Sequence, residues 1–460
     1  MVRVLLYLFF LLIFGCTTQE KKSHSVFFAG EIVNPTSANV VLYKGDQIID
    51  SSTLDKNNRF SFRFDSIAEG LYHFDHSPEL QYVYLENGDS LLIRLNTMDF
   101  DESLVFEGKG SEVNNFILEL FLASEEEESD VISWYELEAS EFANKIDELQ
   151  ENKFTLLKEL LKDGNLSSNQ QKLAEASVIY HYNTYKEQYP FRHRKFSEHG
   201  VDEKLPEDFY AYRKNIDYGN PHFTYLRPYY RFMVNHIQNL SYMGCKKDCE
   251  ENSGKTKKQL HFNEHKLQLI DSLVNGKELK DNLFRYVAFD YFLKVHDYSE
   301  NNLRFIDKFH ELAENNRHLG EIDALYQGIE NLQPQRSLPD VHVVGMQGDT
   351  VSLRDVAKNG KTVFYFWSGI DKRHFNNIKK RVAQLANDKP DYKFVGINIK
   401  TSEITWKGML ENSGLNKEFQ YRAKDFDILT KSLIIYPENK CVITDNGLIV
   451  DAFSNIYASL

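Results

Sequence analysis

The stretch FYFWSGIDKRHFNNI, Phe364 to Ile378, reads as a buried strand that runs into a helix. Phe364, Tyr365, Phe366 and Trp367 form an unbroken aromatic run, as a strand covered on both faces requires. Ser368 and Gly369 interrupt it, and Asp371 stands where a helix from Lys372 to about Asn387 needs an N-cap. The unpaired amides and the macrodipole of a helix start favour negative charge at that position.

Outward from this junction the pattern alternates. VHVVGM, TVFYFW, KFVGINIK, CVI and LIVDAF read as strands, separated by the Lys372 helix and a helix near Trp406. The alternation predicts an α/β domain with a central sheet over residues 334–460, opened by the proline-punctuated NLQPQRSLPD.

Three segments of this region carry a family pattern: LPDVHVVGMQGDTVSLRDV, TVFYFWSG and SLIIYPENKCVITDNGLIV. Together they resemble the thioredoxin fold, specifically the envelope thiol-disulfide oxidoreductases of the TlpA and peroxiredoxin-like group. In that family the first cysteine lies four residues after the tryptophan and the second three further on, which here falls on Asp371 and His374. The resemblance therefore implies a domain without its redox pair and with no catalytic residue at the junction. It also places Tyr436 and Pro437 where the family keeps a cis-proline, whose neighbouring backbone pairs with an extended client segment. Trp367, Asp371, His374, Tyr436 and Pro437 are thus the expected contact surface for a peptide or protein.

The chain begins MVRVLLYLFFLLIFGC, an arginine followed by an apolar run too short to span a bilayer. Its Gly15–Cys16 ending resembles a bacterial lipobox, which makes residues 1–16 a lipoprotein signal with Cys16 as the lipidated residue and 17–24 a polar tether. The expected location is the cell envelope, anchored to a membrane facing the periplasm or the cell surface.

From 25 to 108 the period is two. RFSFRF puts Phe60, Phe62 and Phe64 on one face and Arg59, Ser61 and Arg63 on the other, so an all-β sandwich is predicted. The order FFAGEIVN, VVLYKGDQIIDSSTLDKNNRFSF, GLYHF, YVYLENGDSLLI and FEGKGSEVNNF resembles an uncharacterised β-domain found at the N-terminus of many such lipoproteins. Residues 109–333 carry helical spacing, as in FTLLKELLKD and HKLQLIDSLV, and predict an all-α middle domain. Its tyrosine-rich stretches, YHYNTYKEQYPF and YLRPYYRF, are expected to pack in cores.

With 460 residues the chain has room for about three domains. Its 68 acidic against 54 basic residues give a formal charge of -14, which repels nucleic acid. HFNEH, His261 to His265, matches a zinc-hydrolase spacing but has no evident third ligand, so no metal and no cofactor are expected. SGKT at Ser253 to Thr256 lacks the first glycine of a phosphate loop, Cys249 standing there instead.

The expected function is a non-catalytic, lipid-anchored protein that binds or scaffolds a peptide or protein. The alternative is a thiol-disulfide oxidoreductase using Cys245 and Cys249, which are spaced for a disulfide, or Cys441, which lies in the apolar run CVI.

Overall fold

The computed structural model describes residues 24–162, 164, 166–196, 205–248, 255–411, 413–436 and 439–458. The chain divides into two compact units, Met1–Lys214 with His222–Phe232, and Asn215–Pro221 with Met233–Leu460. The division falls inside the helical stretch 109–333.

In the first unit β1 (Val26–Val33), β2 (Asn39–Lys44), β3 (Gln47–Thr53), β4 (Arg59–Phe64), β5 (Gly70–His76), β6 (Glu79–Leu85), β7 (Ser90–Asn96) and β8 (Val105–Lys109) form two sheets. Their orders are β4-β1-β7-β8 and β3-β2-β5-β6. As the period-two pattern predicts, Phe60 and Phe62 are buried while Arg59, Ser61 and Arg63 are exposed. The two sheets meet through aromatic rings: Phe28 lies 5.5 Å from Phe60 on its own sheet and 5.6 Å from Phe74 on the other. Such pairs add about 0.5–1.5 kcal/mol beyond the area they bury.

After the short helix α1 (Phe100–Ser103) and β8, helix α2 (Ser111–Trp134) closes one side of the sandwich. Two adjacent asparagines dock it there. Asn114 accepts from the Tyr84 amide at 2.7 Å and donates to the Tyr84 carbonyl at 3.0 Å, on edge strand β6. Asn115 does the same for Phe106 on edge strand β8, at 3.1 and 2.8 Å. Each side-chain amide thus replaces a missing strand neighbour. Leu118 of α2 joins the sandwich core, whereas Phe116 and Leu120 join a second core. That core is shared with α3 (Ala139–Lys162) and α4 (Ser168–His193). One helix serving two cores is the reason the first helices belong with the β-sandwich. The predicted tyrosines Tyr182, Tyr185 and Tyr189 of α4 are buried in this core.

Helix α5 (Arg227–Asp248) is divided between the units after Phe232. The second unit continues with α6 (Lys255–Leu273), α7 (Lys277–Lys294), α8 (Ser299–Leu312) and α9 (Leu319–Asn331). Tyr291 stacks on Phe305 at 4.2 Å, joining α7 to α8. No helix among the described residues is long and apolar enough to cross a membrane.

A seven-stranded sheet follows. Its elements are β9 (His342–Val344), β10 (Thr350–Ser352), α10 (Leu353–Ala357), β11 (Lys361–Trp367), α11 (Lys372–Asp388), β12 (Tyr392–Asn398), α12 (Glu403–Glu411), β13 (Gln420–Ala423), α13 (Phe426–Leu433), β14 (Lys440–Asp445) and β15 (Leu448–Asn455). The order is β10-β9-β13-β12-β11-β14-β15. β11, β12 and β13 run parallel, and β14 and β15 return antiparallel. The hairpin at TDNG turns on Asn446 and Gly447, with φ of 49° and 81°. A parallel strand–helix–strand unit at the centre and an antiparallel pair on one side make this sheet thioredoxin-like.

Candidate functional site

The junction quoted first lies at the C-terminal edge of β11. That strand sits between β12 and β14 and is buried along nearly its whole length. At its end the Trp367 carbonyl accepts from Ile399 at 3.0 Å, and the Gly369 amide donates to Thr401 Oγ1 at 2.6 Å. Position 369 must be glycine here, because a Cβ would stand 2.7 Å from Thr401 and 2.9 Å from Met409 Sδ. The chain then enters α11 through Asp371, whose Oδ1 accepts the His374 amide at 2.8 Å. That bond, with lesser help from the Arg373 amide and nearby positive groups, holds the exposed Asp371 carboxyl below the usual aspartate range.

His374 turns back over the strand end, its Nε2 donating to the Phe366 carbonyl at 3.2 Å. The hydrogen bond between Asp371 and His374 thus runs through the main chain of His374.

Trp367, predicted to line the contact surface, is instead wholly buried, packed at 4.5 Å against Phe375 of α11. It is the floor of the junction, because both faces of β11 are covered. Tyr436 is 53% exposed and belongs to the loop before β14. The pairing of Tyr365 with Cys441 sets the start of β14 beside the end of β11, so this loop leaves the same edge as the junction. Pro437 lies outside the described residues, as do Cys16 and Cys249 and the side chain of Cys245.

Sequence reasoning missed β13 and α13, which add a third parallel strand and a second aspartate-capped helix to this edge. Asp425 caps α13 as Asp371 caps α11, accepting from the Ile428 amide at 2.9 Å. Beside these caps and on α12, apolar side chains face solvent: Ile370 is 71% exposed, Ile404 88% and Ile428 58%. Phe426 is partly exposed, with Lys400 Nζ 5.3 Å above its ring. An apolar residue directly flanking an aspartate cap was the signal available in the sequence.

Cys441 is fully buried among Trp367, Phe375 and Ile378. Burial pushes its thiol up to about 12, with Asp451 adding to the shift and Lys440 opposing it. A thiol so placed forms almost no thiolate at neutral pH and does not attack disulfides. Its neighbour Lys440 donates to the Leu433 and Ile434 carbonyls at 2.5 and 2.9 Å, capping the C-terminus of α13, and lies 4.2 Å over the Phe453 ring. Ile434 ends that helix at φ 49°, a left-handed conformation unfavourable for a β-branched residue. Burial lowers the Lys440 ammonium to about 7, against the pull of Asp451.

In the HFNEH segment, the His261 and His265 rings are 6.5 Å apart. Glu264, the base a zinc reading needs, pairs with Arg304 at 3.6 Å. Among the described residues no group of three or more side chains is placed to hold a metal ion.

No protein-family model matches the chain, and no curated protein matches it. Solved structures do. The chain is similar to the thioredoxin domain of a thiol-disulfide oxidoreductase from Bacteroides vulgatus, with 20% identity, 26% of this chain and 87% of that one covered, and a TM-score of 0.21. It is similar to a thiol:disulfide interchange protein from Bacteroides sp., with 20% identity, coverage of 26% and 81%, and a TM-score of 0.24. A thioredoxin-like protein from Bacteroides caccae matches at 12% identity over 58% of this chain and 91% of its own, with a TM-score of 0.33. These are likenesses to part of the chain; the strand order and the helix start after β11 are what make the C-terminal sheet thioredoxin-like.

Two outcomes follow from the buried pair. In the native chain Cys441 resists iodoacetamide and becomes reactive only on unfolding, read by mass-spectrometric mapping; modification of folded protein at the rate of a free thiol contradicts this burial. The folded chain releases the Lys440 proton near pH 7 and the unfolded chain near 10.5, so the unfolded state binds the extra proton between them. Stability contributed by this group is full above the upper value and lost as pH falls through the lower one. Urea unfolding of Lys440→Met should therefore show a flatter rise of stability across that window than the native chain, and an identical slope refutes it.

Proposed function

We propose that the chain is a lipid-anchored protein of the bacterial cell envelope whose thioredoxin-like unit binds an extended peptide or protein segment without thiol chemistry. The observation that carries this reading is the Asp371 carboxylate on the His374 amide: the helix start that would stabilise a thiolate is occupied by a fixed negative charge. What remains at the edge is a binding surface. Ile370, Ile404, Ile428 and Tyr436 expose apolar area where the parallel strands end, which is where open α/β sheets take their ligands. Asp371, His374 and Tyr436 frame it, and Trp367 supports it from beneath. The Cys16 anchor and the envelope location rest on the N-terminal sequence pattern.

The oxidoreductase alternative would have to use Cys245 and Cys249, because Cys441 is enclosed. A phage-displayed library of random peptides, panned on the full chain, distinguishes the two. Selected peptides should bind equally with and without reductant. The double change Ile370→Ser, Tyr436→Ser should weaken them about tenfold, a loss of roughly 1.4 kcal/mol. Binding that ignores this double change, or that disappears with Cys245→Ser, overturns the reading.

A further inference from the structure

The first unit encloses a cavity of about 230 Å³ between α2, β6 and the first turns of α5. Its walls are apolar, built from Leu71, Leu80, Phe106, Ile117, Leu118 and Phe121. The polar groups are unevenly charged. Arg227 and Arg231 line it and no aspartate or glutamate does, in a chain whose acidic residues outnumber basic ones by 68 to 54. The two arginines stand one turn apart on α5, both exposed, an arrangement in which like charges repel.

Arg227 has no carboxylate at ion-pair distance among the described residues; its guanidinium lies 5.5 Å over the Phe121 ring. Beside it, the Tyr82 hydroxyl has no hydrogen-bond partner among the described residues, and Arg227 opposes the upward push of burial on that phenol. His181, on the wall, is kept neutral at physiological pH: burial, with Arg231 and Lys153, brings it down to about 4. Asn114 is used in docking α2, and Ser124 donates to the Phe121 carbonyl at 2.7 Å.

From this we infer that the cavity binds a small amphipathic carboxylate, its apolar body between α2 and β6 and its head at Arg227 and the Tyr82 hydroxyl. The volume lies below the roughly 300–1,000 Å³ of drug-sized sites, which excludes a two-chain lipid and suits a single short chain or one ring. Guanidinium groups recognise carboxylates in a fixed, two-pronged geometry, and a neighbouring phenol adds a further donor. The site is independent of the thioredoxin-like edge.

Isothermal titration calorimetry on the full chain tests this with octanoate, octanol and inorganic phosphate as probes. Octanoate should bind with one-to-one stoichiometry, octanol about tenfold more weakly, and phosphate alone without detectable heat. Arg227→Gln, a change at an exposed side chain, should weaken octanoate about fivefold without altering the unfolding midpoint. Ile117→Trp should fill the cavity and abolish binding. Equal affinity for octanoate and octanol, octanoate binding unchanged in Arg227→Gln, or no heat from octanoate at millimolar concentration overturns the proposal.

Discussion

The Asp371 carboxylate resting on the His374 amide is the contact on which the character of the C-terminal unit depends. The first amides of any helix lack intrahelical partners, and their summed dipoles present a partial positive charge. In the oxidoreductases this sequence resembles, that field acts on sulfur. Here a side chain that cannot form a mixed disulfide takes it, and the neighbouring imidazole is turned to a strand carbonyl. The fold here rests on the enclosed β11, the Trp367–Phe375 contact and the parallel pairing around them, none of which involves a thiol at the junction.

Capping recurs as the way this chain places its elements. Asp425 repeats the Asp371 device on the same edge, Ser167 and Gln170 box the start of α4, and Lys440 closes the end of α13 from within the core. Asn114 and Asn115 extend the same chemistry from helix ends to sheet edges. Short polar side chains satisfying backbone groups fix where helices meet sheets, and the loops beside them are left to carry exposed apolar side chains such as Ile370 and Ile428.

Much of this was legible in the sequence. RFSFRF alternates cleanly enough to give both its strand and its buried face, and the aromatic run before Ser368 gives β11 with α11 after it. Trp367 was misread because a strand buried on both faces has no alternation to tell groove from core. Strand β13 is only four residues long, and its place between β9 and β12 is set by pairing rather than by pattern. The division within the helical stretch follows from contacts that no local pattern shows: Leu118 and Leu120 lie on opposite faces of α2 and enter different cores. The Arg227 cavity draws on β6, α2 and α5, three separate elements, and no local motif announces it.

Placing sulfur at the junction tests the central claim most directly. Insulin-disulfide reduction, driven by dithiothreitol, should run at background rate with the native chain and well above it with Asp371→Cys, His374→Cys, since the helix start and the fold around it are in place. Turnover by the native chain, or an inert double variant that remains folded, would contradict the view that this junction lacks only its two thiols.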